Sequence, residues 1–146
     1  MSLKLDLDTN QMAEEFFEET CLLGLVAPIK DYQFCWQVNQ MIHFDFRLNH
    51  DLEIEMVKKA RNYYFSIYQY KVPAGTLSHY LYNNKCDGEY LLPEFRHLDY
   101  LWLLKGDVVN REYLKILMES IRSINAVQLV VELTHEKIKN KTLMIF

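Results

Sequence analysis

At 146 residues, half of them hydrophobic and a quarter charged, the chain has the length and composition of one globular domain with a core of its own. A net charge of −4 removes any bulk attraction to nucleic acid or to anionic membrane. Four glycines and three prolines leave little room for linkers, the longest apolar runs are far shorter than the ~20 residues a membrane helix needs, and no repeat occurs at solenoid or propeller periods.

The elements follow in chain order. Leu3, Leu5 and Leu7 alternate with Lys4 and Asp6 and predict a short strand. Thr9 is placed to cap a helical turn through Met12, Ala13, Phe16 and Phe17. Cys21 to Ala27 is a compact apolar run that Pro28 ends, as in a strand. Residues 31–42 fit two templates. Tyr32, Phe34, Trp36 and Val38 alternate, while Phe34, Cys35, Val38, Met41 and Ile42 share one helical face. The helical template explains the longer span, with Asp31 as N-cap and Gln33, Gln37, Asn39 and Gln40 on the wet side.

Phe44, Phe46 and Leu48, then Leu52, Ile54 and Met56, alternate with polar residues on either side of Asn49-His50, the pattern of an antiparallel hairpin. Residues 63–72 and 76–84 read as aromatic-rich strands joined through Pro73-Ala74-Gly75, and Asp87-Gly88 is a turn signal. Leu98 to Lys105 is apolar on both faces, as a central strand should be. Val109, Tyr113, Ile116, Leu117, Ile121 and Ile124 keep helical spacing behind Asp107 or Asn110 as cap. Val127, Leu129, Val131 and Leu133 form a closing strand, and the apolar end at Leu143–Phe146 is expected to dock or to join the sheet. The sum is a single α+β domain over residues 1–146: an antiparallel-rich sheet of five to seven strands with two main helices packed on one face.

Cys21, Cys35 and Cys86 are an odd set without a CxxC pair, which suits free thiols in a reducing cytoplasm. Residues 1–6 lack an apolar signal core, so a cytoplasmic location is expected.

The richest chemistry lies at Leu92-Pro93-Glu94-Phe95-Arg96-His97-Leu98-Asp99-Tyr100. Proline suits the first position of a helical turn, and a carboxylate beside it complements the unpaired N–H groups there. Asp99, at the start of the central strand, is placed to accept backbone N–H groups or to pair with Arg96 or Lys105. Tyr100 is expected to pack its ring and leave its hydroxyl at an edge. The same residues, Glu94, Arg96, His97, Asp99 and Tyr100, are also the candidate functional cluster, since two carboxylates in different environments can divide acid and base roles.

This stretch resembles the signature of the IPExxxVDY family of small bacterial proteins. Leu92 stands for Ile, Pro93 and Glu94 match, Leu98 stands for Val, and Asp99 and Tyr100 match. Leu104-Lys105-Gly106, Asp31-Tyr32, Val127-Gln128 and Ile145-Phe146 are similar too, so the resemblance spans most of the chain. It implies a protein without assigned chemistry. Arg96 and His97 fall at positions the signature leaves open.

Residues 57–86 carry Lys58, Lys59, Arg61, Lys71 and Lys85 and no acid, a local charge of +5. Within them Arg61-Asn62-Tyr63-Tyr64-Phe65-Ser66-Ile67-Tyr68 is a near miss to an RNA-recognition strand, with Asn62, Tyr64 and Ser66 off the pattern. Lys58, Lys59, Arg61, Tyr64, Tyr68, Tyr80 and Tyr82 are therefore the candidate RNA or partner face. Two Glu-x-x-His units, Glu94 to His97 and Glu132 to His135, lack the bundle and the further carboxylates a di-iron site needs. No GxGxxG, Walker, GxSxG or Cys–His zinc spacing occurs, so no cofactor or metal is expected.

Three functions stand as expectations. The first is a non-catalytic cytoplasmic interaction or regulatory module, self-associating as a homodimer through its many aromatics. The second is an RNA-associated protein using residues 58–82. The third is a small-molecule enzyme or binder centred on Glu94, Asp99 and Tyr100. The charge balance argues against a general nucleic-acid partner, and no segment suits a membrane.

Overall fold

A computed structural model describes residues 20–73, 75–106 and 110–134. The strand expected at Leu3–Leu7, the turn after Thr9 and the apolar end at Leu143–Phe146 lie outside the described residues. In chain order the elements are β1 (Thr20–Val26), α1 (Asp31–Ile42), β2 (Arg47–Leu48), a 3-10 turn (His50–Leu52), β3 (Ile54–Lys58), β4 (Arg61–Phe65), β5 (Ile67–Lys71), β6 (Ser78–Asn83), β7 (Lys85–Cys86), β8 (Glu89–Tyr90), a second 3-10 turn (Pro93–Phe95), β9 (Tyr100–Lys105), α2 (Arg111–Arg122) and β10 (Leu129–Leu133).

Six strands form one antiparallel sheet in the order β10-β1-β9-β6-β5-β2. The fold is a single α+β domain, as the alternation of strand and helix patterns predicts. β9 lies inside the sheet, between β1 and β6, and its two-faced apolar character follows from two covers. On one face Leu23, Tyr68, Leu81, Trp102 and Leu104 pack against Phe34, Cys35 and Val38 of α1 and against Leu114, Leu117 and Ile121 of α2. On the other, Leu22, Ile67, Tyr82, Leu101 and Leu103 are sealed by Ile54, Tyr63 and Phe65 of the β3–β4 hairpin and by Leu91, Leu92 and Leu98. Both helices among the described residues lie on one face, and a small hairpin roofs the other.

Several expectations are corrected. The hairpin expected across Asn49-His50 does not form. β2 pairs with β5, and β3 pairs with β4 through a two-residue loop, Lys59-Ala60, both with positive φ (52° and 60°). That backbone suits a type I′ turn, for which Asn-Gly or Asp-Gly is the usual sequence. The single strand expected over 63–72 is split at Ser66, where the chain leaves the hairpin and joins the main sheet. α1 spans the residues its periodicity predicts, but Lys30 is its N-cap and Asp31 its first helical residue. The Asp31 carboxylate instead accepts the Tyr68 hydroxyl at 2.9 Å. In α2 the cap is Asn110, whose side chain accepts the Glu112 N–H at 2.7 Å. Tyr113 and Ile116, expected on its core stripe, are exposed, and Leu114 takes the inward position. Met41 of α1 is likewise half exposed.

Gly24 lies opposite Leu101 in the sheet, and a Cβ there would stand 2.3 Å from the Leu98 Cδ1. The glycine thus forms the notch into which Leu98 fits. Before β2, Phe46 donates its N–H to the Asn39 Oδ1 at 2.8 Å, and Asn39 Nδ2 donates to the Phe46 carbonyl at 3.2 Å. One helix side chain therefore satisfies both backbone groups of a strand-like residue.

Candidate functional site

The signature forms the turn its residues predict. Leu92 caps the 3-10 turn, Pro93 opens it and Glu94 follows in its first turn. The residue that holds this turn in place is Asn84, which is fully buried at the end of β6. Its Nδ2 donates to the carbonyls of Phe95 (3.1 Å) and Leu98 (2.9 Å), and its Oδ1 accepts the Leu92 N–H (2.9 Å). Its main chain also donates to Asp99 O and accepts from Leu91 N. A loop with no regular ladder thus finds its partners in one amide. Asn84 escaped the sequence reading because it closes the strand expected over 76–84, and a strand pattern gives no sign of side-chain contacts to a later loop.

Asp99 sits where the turn becomes β9, as expected. Its Oδ2 accepts the Ala27 N–H at 2.8 Å, while Oδ1 pairs with Lys85. Neither Arg96 nor Lys105 is its cation, a correction to the linear expectation. Arg96 and His97 are exposed. Tyr100 stacks on Phe34 with ring centroids 4.9 Å apart and donates its hydroxyl to the Ile29 carbonyl. Burial, then the nearby Asp31 and Asp99 carboxylates, push the Tyr100 phenol up. Burial and Asp31 raise the Cys35 thiol as well. Neither group is an activated nucleophile or base. Asp99 and Tyr100 are each committed to a backbone partner across the β1–α1 connection. Replacing Asp99 with Ala is expected to cost about 1–3 kcal/mol, the range for a stranded buried donor. Asp99→Asn should recover part of that loss by still accepting from Ala27. Thermal denaturation checks this, and an Asp99→Ala variant melting at or above wild type would return the signature to consideration as an active site.

The basic, Tyr-rich candidates do not share a face. Tyr68 is buried beneath α1, Tyr80 and Tyr82 are buried on the opposite side of the sheet, and only Tyr64 of the four tyrosines is exposed, on the outer side of β4. Lys58 pairs with Glu89 at 2.9 Å, Arg61 with Asp87 at 3.5 Å and Lys85 with Asp99. Three of the five cations of residues 57–86 are thus answered in space by carboxylates of residues 87–99. The first two pairs stitch the β3–β4 and β7–β8 hairpins together and, being largely exposed, add little stability. Lys59 stands in the loop of the first hairpin.

A polar chain runs through the helix-side core. The Trp102 indole N–H donates to His79 Nδ1 at 2.9 Å. Indole is a donor only, so neutral His79 carries its proton on Nε2, which lies 3.2 Å from the Tyr113 hydroxyl. His79 is fully buried among Phe44, Phe46 and Tyr70, and burial lowers its pKa to about 4. The chain links core to surface at Tyr113.

The exposed chemistry gathers instead on the outer face of α1. Tyr32 and Trp36 are 58% and 65% exposed, although Trp102 is wholly buried. With Ile29, Gln33 and Gln37 they line a shallow groove of about 540 Å³. Gln37 Oε1 is buried there without a hydrogen-bond partner. From Tyr32 to Ile42 the helix has no Lys, Arg, Asp or Glu. The sequence carried this signal, an amphipathic helix whose wet side lacks charge, but periodicity alone treats glutamine as ordinary solvent-facing surface. A larger open depression of about 1000 Å³ lies at the β2 edge, lined by His43, Arg47, His50, Asp51 and Lys71 among others. Neither depression is lined by Glu94, Asp99 or Tyr100. Among the described residues no cluster of His, Cys, Asp or Glu could hold a metal ion, the three cysteines are free, and no helix is long and apolar enough to cross a membrane. Of the Glu-x-x-His units, His135 lies outside the described residues and Glu132 is held by Arg111 through contacts of 2.9 and 3.0 Å. No protein-family model matches this chain, and no curated protein matches it either.

Proposed function

We propose that this protein is a non-catalytic interaction module, working in the cytoplasm, whose contact surface is the outer face of α1. The observation that carries this reading is the exposed Tyr32–Trp36 pair above its groove. Large aromatic side chains supply most of the binding energy where proteins meet, and isolated exposure of both on one helix face leaves apolar surface in water. The catalytic reading has weaker support, because Asp99 accepts a backbone N–H and Tyr100 donates to a backbone carbonyl. The RNA reading loses its stacking platform to burial of Tyr68, Tyr80 and Tyr82. The likeness to IPExxxVDY proteins, a family without assigned chemistry, is compatible with a module of this kind.

The test is affinity capture from the native cell with wild type and with a Tyr32→Ala/Trp36→Ala double variant, identifying both protein and nucleic acid. Both substitutions lie on a solvent-facing helix side, so the variant should fold. The expected result is a protein, a further copy of the chain included, retained by wild type and lost by the variant. An identical set of bound molecules on both would overturn the reading. So would nucleic acid as the principal species captured.

A further inference from the structure

Among the described residues, three patches that pair exposed apolar side chains compete as contact surfaces, and charge separates them. On the β3–β4 hairpin, Val57 and Tyr64 are exposed beside Glu55 and Lys59. On α2, Ile116 and Tyr113 lie among exposed Glu112, Lys115 and Glu119. The α1 face alone has an unbroken run of uncharged residues, from Tyr32 to Ile42, in a chain that is 25% charged. A surface meant for an acidic or basic partner carries the opposite charge, because complementary potentials set register and on-rate. A surface meant for its own copy cannot use a single sign of charge, since a two-fold contact places each patch against itself.

Polar atoms of the same patch point the same way. The Trp36 indole is a donor only, and no described residue accepts from it. Gln37 Oε1, one residue on, is an acceptor without a partner. Within one helix, residues i and i+1 do not face each other, so the two cannot satisfy one another. Across a two-fold axis they can. The twelve residues of α1 make a rod of about 18 Å. Two such rods laid antiparallel with the axis between Trp36 and Gln37 set the indole of one copy opposite Gln37 of the other and Tyr32 opposite Met41, and a side-chain rotation of Gln37 then offers its oxygen to the facing indole. Antiparallel helices also oppose their dipoles favourably.

We infer that the occupant of the α1 groove is a second copy of this chain, bound through an isologous, antiparallel α1–α1 contact. The inference rests on the interaction reading of that face and names its partner. One helix face is small beside the ~1,200–2,000 Å² of standard stable interfaces, so the dimer is a weak one, populated at tens of micromolar (~10–100 μM) and dissociating on dilution.

The test is sedimentation velocity over a concentration series, with far-UV circular dichroism as a fold control. Wild type should pass from monomer to dimer across that range. Trp36→Lys should raise the dimer dissociation constant at least tenfold (~10-fold is 1.4 kcal/mol), while Val57→Lys and Ile116→Lys leave it unchanged. Gln37→Leu, which removes the acceptor but keeps the bulk, should weaken the dimer less than Trp36→Lys. Wild type that stays monomeric throughout overturns the second-copy inference, as does a dimer that survives Trp36→Lys or is lost in Val57→Lys or Ile116→Lys. If a monomeric wild type still captures a different protein in a Trp36-dependent way, the second-copy inference falls and the interaction reading stands. If nothing binds, both fall.

Discussion

Asn84→Ala should lower the stability of the protein by about 3–5 kcal/mol, among the largest effects expected of any single substitution here. Three backbone groups, the part-buried carbonyl of Phe95, the buried carbonyl of Leu98 and the buried N–H of Leu92, lose their partner at once. Water cannot replace it readily, because Leu91, Leu92 and Leu98 are all fully buried around it. Asn84→Asp gives a sharper result. A carboxylate still accepts from Leu92 but faces two carbonyl oxygens, so its ionised form is disfavoured in the folded state and its pKa is raised there. Such a group is harmless at low pH, where it is protonated in both states. It destabilises progressively as pH rises above the unfolded value of roughly 4. Urea denaturation of the Asp variant at acid and neutral pH measures this. A variant equally stable at both, or an Asn84→Ala protein within about 1 kcal/mol of wild type, would remove Asn84 from its role.

The second large effect is a pH dependence centred on His79. Its folded pKa is about 4 against 6.5 unperturbed, through burial. Between those values the unfolded chain binds a proton that the folded one refuses. Stability contributed by the neutral imidazole is therefore complete above about pH 6.5, falls as pH drops through that window, and levels off below about pH 4. The loss amounts to about 3 kcal/mol. His79→Gln keeps an acceptor for the Trp102 indole but cannot titrate. Its stability profile should be flatter than that of wild type by that amount between pH 7 and pH 4. Parallel profiles would mean that His79 does not stay neutral in the fold.

Where the chain's own periodicity decides the structure, the sequence was a sufficient guide. β9 was legible because a run apolar on both faces must be covered twice, and α1 because Phe34, Cys35 and Val38 recur at helical spacing over a span too long for the alternating pattern. The misses share another cause. Nothing in Lys59-Ala60 announces a turn, because neither residue favours positive φ, so the β3–β4 hairpin was displaced towards the more turn-like Asn49-His50. The cation beside Asp99 is Lys85 rather than Arg96, because the β6–β9 register carries Asn84 against Asp99 and Lys85 one residue further on, whatever the sequence distance. Tyr68, Tyr80 and Tyr82 looked like one platform, yet Tyr68 pairs with Leu81 rather than with either tyrosine, so they fall on opposite faces. The turn at Pro93-Glu94 was readable from proline and carboxylate chemistry, while its anchor in Asn84 depends on a contact that no local pattern encodes.

The amide of Asn39 imitates a neighbouring strand. A sheet edge normally shows alternate N–H and C=O groups to any passing chain, and that invitation underlies runaway strand addition between molecules. Here the outward-facing pair on Phe46 is already taken by a side chain anchored on a helix, and β2 beyond it is two residues long. An arriving strand finds too few open groups to form a ladder. Growth of the sheet is blocked at that margin, so a concentrated solution of this aromatic-rich protein is protected there from joining edge to edge.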